Sequence, residues 1–212
     1  MRISRIVLAA ALFLCFALPA AAQYIGVLQS AETNDRGTFK IQIAPIVALG
    51  KDGEDNDYGL AARGGYGFTD RFDAELKLGS FRNSRYIGAD GEFWILKGEE
   101  KDTGLDFSLT GGLHWIFGKR SNPDIMGLDI TPLLSGHVNK QLELCGSLDI
   151  SFESVQNAGP RVDVDDSFTR VHLVPGVEYR LSESIDLDGE IGIALDDNSW
   201  TYLAAGITFY LR

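Results

Sequence analysis

Ser135 and His137 stand two residues apart in the run LLSGHV. On a strand that spacing puts both side chains on one face. A hydroxyl beside an imidazole is part of a nucleophilic centre, which also needs an acid to orient the base and donors for an oxyanion. No oxyanion donor is identifiable around this pair, so the plainer reading is structural. His114, His137 and His172 are scattered over three runs without metal-ligand spacing. Cys145 is the one cysteine beyond the leader described below, which leaves no intramolecular disulfide to form. It reads as a small strand residue. The chain is therefore expected to be non-enzymatic, with no cofactor and no metal.

The more informative chemistry is the charge. On the polar parity of the runs described below stand Lys40, Arg63, Lys77, Arg170 and Arg180. The same parity carries Asp73, Glu75, Asp90, Glu92, Asp106, Asp129, Glu143, Asp149, Glu178, Asp186, Asp188 and Glu190. Five cations face twelve carboxylates. Confined together, they make either a packed interior of ion pairs and water or the lining of a narrow path that favours cations. The arginines are the natural partners for carboxylates, because a planar guanidinium pairs bidentately.

The elements that position these charges alternate with period two. From Tyr58 to Phe68, Tyr58, Leu60, Ala62, Gly64, Tyr66 and Phe68 share one parity and Arg63 takes the other. After the turn Thr69-Asp70-Arg71, Phe72, Ala74, Leu76 and Leu78 continue the apolar parity against Asp73, Glu75 and Lys77. Such alternation belongs to strands, and a short turn between two of them makes an antiparallel hairpin. The pattern recurs in runs at 38–49, 58–68, 72–78, 87–95, 105–117, 128–138, 142–152, 171–181, 185–195 and 203–211. Their apolar faces carry no Asp, Glu, Lys, Arg or His.

The chain begins with Arg2 and Arg5, an apolar run from Ile6 to Leu18, Pro19 and Ala20-Ala21-Ala22. Residues 1–22 read as a cleaved secretory signal peptide. Of 19 basic residues, Arg2 and Arg5 leave with the leader; the remaining 17 face 30 acidic ones, which argues against nucleic acid as a partner. Residues 23–37 carry no clean period. They are assigned to an N-terminal periplasmic segment, as a disordered arm or packed inside the domain.

An exported chain with an even number of long alternating strands is expected to be all-β: a ten-stranded antiparallel up-and-down transmembrane β-barrel over 38–212, with eight strands as the alternative count. With both termini in the periplasm, the turns at 69–71, 139–141 and 182–184 are short and inside. The loops at 50–57, 118–127 and 153–168 are longer and outside. Phe39, Phe68, Phe72, Tyr179 and Phe209 then form one aromatic girdle, and Tyr58, Trp115, Phe117 and Phe152 the other. Pro45, Pro132 and Pro175 fall within runs, where they are expected to mark bulges or strand starts.

The turn YGFTDRF, the hairpin YRLSESIDLDGEIGIAL and the final strand TYLAAGITFYLR resemble the small outer-membrane β-barrels of Gram-negative bacteria. That group includes the outer-membrane protein A barrel, the opacity proteins and related porin-like families. The resemblance covers residues 38–212. It implies residence in the bacterial outer membrane, contact with outer-membrane lipid and lipopolysaccharide, and insertion by the barrel-assembly machinery. The family usually ends in an aromatic residue, whereas this chain ends Phe209-Tyr210-Leu211-Arg212. The expected role is structural or porin-like and cation-preferring. The rivals are a soluble secreted ligand-binding barrel with its apolar face inward, and a surface adhesion protein acting through its outer loops. The acidic runs KDGEDND and VDVDD offer hard oxygen ligands for divalent ions that bridge to lipopolysaccharide.

Overall fold

The computed structural model describes residues 26–51, 55–98, 104–119, 122–156 and 167–212. The leader, VDVDD and residues 52–54 of KDGEDND lie outside the described residues. Ten strands follow in chain order: β1 Phe39–Ala48, β2 Asp57–Thr69, β3 Phe72–Phe81, β4 Ser84–Leu96, β5 Leu105–Gly118, β6 Asp124–His137, β7 Leu142–Gln156, β8 Ser167–Ser182, β9 Ile185–Ala194 and β10 Tyr202–Leu211. Each pairs antiparallel with its sequence neighbour, and β1 pairs β10 from Phe39↔Leu211 to Ala48↔Tyr202. The sheet closes into a barrel and leaves no edge. Ten strands, not eight, is the count. β7 runs further than the sequence suggests, so Glu153, assigned to the longest loop, sits in a strand.

Parity decides what each face meets. The apolar parity of every strand points outward, and Leu76 and Leu113 are 64% and 63% exposed. The charged parity points into the lumen, where Arg63, Asp73, Glu75, Glu92, Glu143, Asp186 and Glu190 are all buried. This arrangement suits a hydrocarbon surround, since outward alkyl chains meet alkyl chains and closure pairs the strand backbones except where prolines interrupt the ladder. It is the reverse of a soluble ligand-binding barrel, which turns its apolar parity inward. At the end that carries both termini, the rings of Phe39, Tyr66, Phe68 and Phe72 touch in sequence, at centroid distances of 4.5, 5.0 and 6.0 Å. At the opposite, loop end Trp115 stacks on Phe117 at 5.8 Å.

The prolines are neither bulges nor strand starts. Pro45 pairs with Leu60 of β2, yet the β1–β10 register skips from Ile43↔Ile207 to Ile46↔Ala204 without a shift. Pro132 and Pro175 likewise keep one neighbour, Leu109 and Gly146, and interrupt the ladder to the other, β7 and β9. A proline lacks the N–H that one ladder needs and leaves the other intact.

Two features fill the lumen. Toward the loop end, inward Ile46, Phe81, Tyr86, Ile116, Ile125 and Tyr202 form an apolar layer. From the terminal end, residues 26–34 run inside the barrel, with Val27, Leu28 and Ala31 joining that layer, while Asp35, Arg36 and Gly37 are exposed. Of the 23–37 segment, for which a disordered arm and packing inside the domain are the two expectations, residues 26–37 are described, and 26–34 take the second. Carboxylates in excess of cations need hydrogen-bond donors, and a chain threaded through the lumen supplies its amides.

Candidate functional site

The site is the lumen with its internal plug. Alternation aims every second wall side chain at the barrel axis, so residues distant in sequence meet one extended segment. Glu190 of β9 accepts the amides of Val27 and Leu28 at 2.8 and 2.6 Å and the Tyr202 hydroxyl at 2.9 Å. Arg63 of β2 donates to the carbonyl of Val27 and, at 2.5 Å, to that of Gly26. Gln42 of β1 donates to the Leu28 carbonyl at 2.9 Å, and Ser135 of β6 accepts the Ala31 amide at 3.0 Å. Asp73 of β3 takes both the backbone and side-chain nitrogens of Asn34, at 2.7 and 2.5 Å. Gln29 reaches Glu92 at 3.3 Å and Thr110 at 3.2 Å. The plug is thus held from seven strands, by four charged side chains and three neutral ones.

The remaining predicted charges pair within the wall. Lys40 pairs with Glu75, which also lies 3.9 Å from Arg63, and Lys77 pairs with Asp90. Asp129 faces His114 at 2.8 Å and accepts from Ser151 at 2.7 Å. Ser108 donates to Glu92, Thr131 to Asp149 at 2.5 Å, and Asp188 accepts from Gln42 and Thr208 at 3.0 and 2.8 Å. Arg170 meets Glu153 at 3.3 Å. Asp106 accepts the Trp94 indole at 3.0 Å and the Gly98 amide at 2.6 Å. Glu143 lies beside His137. Arg180 reaches only to 3.8 Å from Asp186 and is half exposed at the terminal end. Ser135 and His137 do not form a catalytic pair: Ser135 serves the plug, and His137 stands between Glu32 and Glu143.

The plug leaves little room. Two cavities flank residues 26–29, of about 10 and 20 Å³, each space for roughly one water. Below it, at the terminal end, a vestibule of about 400 Å³ opens between the plug and the wall. Its lining carries the acids Glu32, Asp35, Glu178, Glu183 and Asp186 against Arg180 and Arg212. Burial raises the Glu32 carboxyl above its ordinary value, with His137 opposing the shift and Asp106 adding to it.

Sequence reasoning missed Gln29, Asn34, Gln42, Ser108 and Glu153, which carry much of this network. The available signal was the imbalance of twelve carboxylates over five cations beside an aperiodic polar segment, GVLQSAETNDRG, that starts and ends in glycine.

The family model described as "Outer membrane protein beta-barrel domain" matches residues 8–209. An outer membrane channel from Pseudomonas putida F1 superposes with a TM-score of 0.55 at 9% identity, over 90% of this chain and 100% of that one. A bacterial polysaccharide outer membrane secretin superposes with a TM-score of 0.50 at 12% identity, over 85% of this chain and 67% of that one. At these identities the likeness is one of fold. No curated protein matches the sequence.

Proposed function

Since the chain belongs to the outer membrane protein beta-barrel family, we propose that it is a non-enzymatic channel of the bacterial outer membrane, whose narrow cation-preferring lumen is closed by its own N-terminal segment. The observation that carries this reading is the seating of residues 26–34 by hydrogen bonds to charged wall side chains. Polar contacts of this kind can be exchanged for water when the segment leaves its seat. The five acids and two bases of the vestibule favour cations at the mouth. The outward apolar band supports outer-membrane lipid as the surrounding partner. Insertion by the assembly machinery follows cleavage of the leader after Ala22.

Planar-bilayer recordings test this. A chain beginning at Gln23 should be silent or open rarely. A chain beginning at Thr38, lacking the plug, should give discrete steps with a reversal potential on the cation side in a KCl gradient. A folded barrel without the plug that stays silent, or that prefers chloride, overturns the proposal and leaves a structural role.

A further inference from the structure

Three segments bring potential metal ligands to one point beside the vestibule. Glu32 comes from the plug, His137 from the last position of β6 and Glu143 from the second position of β7. One donor atom from each lies within 4.8 Å of the other two. His137 Nε2 is 3.3 Å from Glu32 Oε1, and His137 Nδ1 is 3.6 Å from Glu143 Oε2.

Two independent features mark this as more than a cluster of acids. Glu143 is 3% exposed, and neither of its carboxylate oxygens has a hydrogen-bond partner. A buried carboxylate in that condition is costly unless a cation meets it. His137 and Glu143 are also direct partners in the β6–β7 register. The hairpin joining them is closed by Val138 N to Leu142 O at 2.9 Å, and Asn139 Oδ1 accepts the amides of Gln141 and Leu142 at 2.8 and 3.0 Å. Two ligands are therefore fixed by the wall before the third arrives.

We propose that Glu32, His137 and Glu143 bind one divalent transition-metal ion of the Zn²⁺ class, which fastens the plug to the barrel wall. One imidazole nitrogen with two carboxylate oxygens is a borderline donor set that suits Zn²⁺ and its first-row neighbours better than Mg²⁺ or Ca²⁺. His137 turns a different ring nitrogen to each carboxylate, so one ion would take one of these nitrogens, and the donor atoms, now within 4.8 Å of one another, would close toward the roughly 3.3 Å that ligands at about 2.0–2.1 Å from a tetrahedral ion require. Three protein ligands leave a position for water, which the vestibule supplies through Glu32. The inference rests on the seating of the plug and not on conduction.

The test is Zn²⁺ titration of the full chain from Gln23, refolded in detergent and stripped with chelator, followed by calorimetry. Co²⁺ is the spectroscopic probe, and heat-modifiable gel migration shows that each variant is folded. The expected result is one site per chain, and a Zn²⁺-dependent rise in Tm that chelator reverses. Affinity should fall at least about tenfold in His137→Asn and Glu143→Gln. Glu32→Gln, which lies outside every strand, should lose affinity likewise. Absence of saturable binding up to about 100 µM, or equal binding in all three variants, overturns the site. In that case the three side chains are polar neighbours only. Because the readout is binding, a silent barrel can still pass this test and a conducting one can fail it.

Discussion

Glu190 Oε2 accepts the amide hydrogen of Leu28 at 2.6 Å, across 162 positions of sequence. Leu28 has φ 42°, in the left-handed region that branched residues rarely use, so the wall holds the plug in a conformation it would not keep alone. Glutamine at 190 offers one acceptor oxygen instead of two. Glu190→Gln should therefore leave one plug amide unsatisfied, at about 1–3 kcal/mol. Hydrogen exchange of the detergent-folded protein should show the Val27 and Leu28 amides exchanging about 10- to 100-fold faster. Equal protection in both proteins would mean that this carboxylate does not seat the plug.

Arg63 ties the plug to the wall through two carbonyls while lying 3.9 Å from Glu75, with its side chain fully buried. Arg63→Ala removes those donors and leaves the acids nearby less compensated. A loss of about 3–5 kcal/mol is expected in urea unfolding from lipid vesicles. The same variant should open more often in a bilayer than the parent.

Leu76 is among the most exposed apolar side chains and sits mid-strand in β3. In hydrocarbon, Leu76→Arg should cost about 2–4 kcal/mol, and Phe117→Arg, near the loop end of β5, about 0–1. A protein that faced water with this surface would tolerate both. Vesicle unfolding of the two variants side by side separates those cases.

Gly192 lies against the ring of Tyr202, which is fully buried, and a Cβ there would overlap that ring. Gly192→Ala should destabilise by about 1–3 kcal/mol through overpacking. Adding Tyr202→Leu, which vacates the space, should recover part of the loss. A neutral Gly192→Ala would show that the lumen is looser than this packing implies.

Asp196, in the loop between β9 and β10, supplies a pH dependence. Partial burial disfavours its charge, but hydrogen bonds from the Ser199 hydroxyl and from the amides of Val171 and Asn198 outweigh it and hold the carboxyl below its ordinary value. A depressed folded value means stability that is fully present above the unfolded value of 3.8 and is lost as pH falls through the lower folded one. The stability difference between the parent and Asp196→Asn should be constant above about pH 5 and should shrink below about pH 4. A difference independent of pH would sink the assignment. NMR titration of the Asp196 carboxyl measures the same quantity directly.

Much of the wall was legible in the chain itself. Runs such as Phe72, Ala74, Leu76, Leu78 against Asp73, Glu75, Lys77 set strand, face and register together, because a one-residue slip would turn every charge toward lipid. The inward direction of Arg63, Glu92 and Glu190 followed from the same parity. The partners of those charges did not. Glu190 meets Val27, Arg63 meets Gly26, and Glu153 meets Arg170 only because closure brings distant residues to one axis. Inward apolar residues such as Ile46 and Ile116 were also passed over, since period two shows only that a residue faces in, not what layer it joins.

By itself the sequence determined which runs form strands and which residues share a face, since both rest on local alternation. The tertiary structure alone decided that ten strands close with the apolar face outward, that residues 26–34 enter the lumen and that Glu32 comes beside His137 and Glu143. Those contacts depend on how unsatisfied carboxylates and free backbone amides find one another in a closed, nearly dry space. That is a property of the whole ring of strands, and no single strand encodes it.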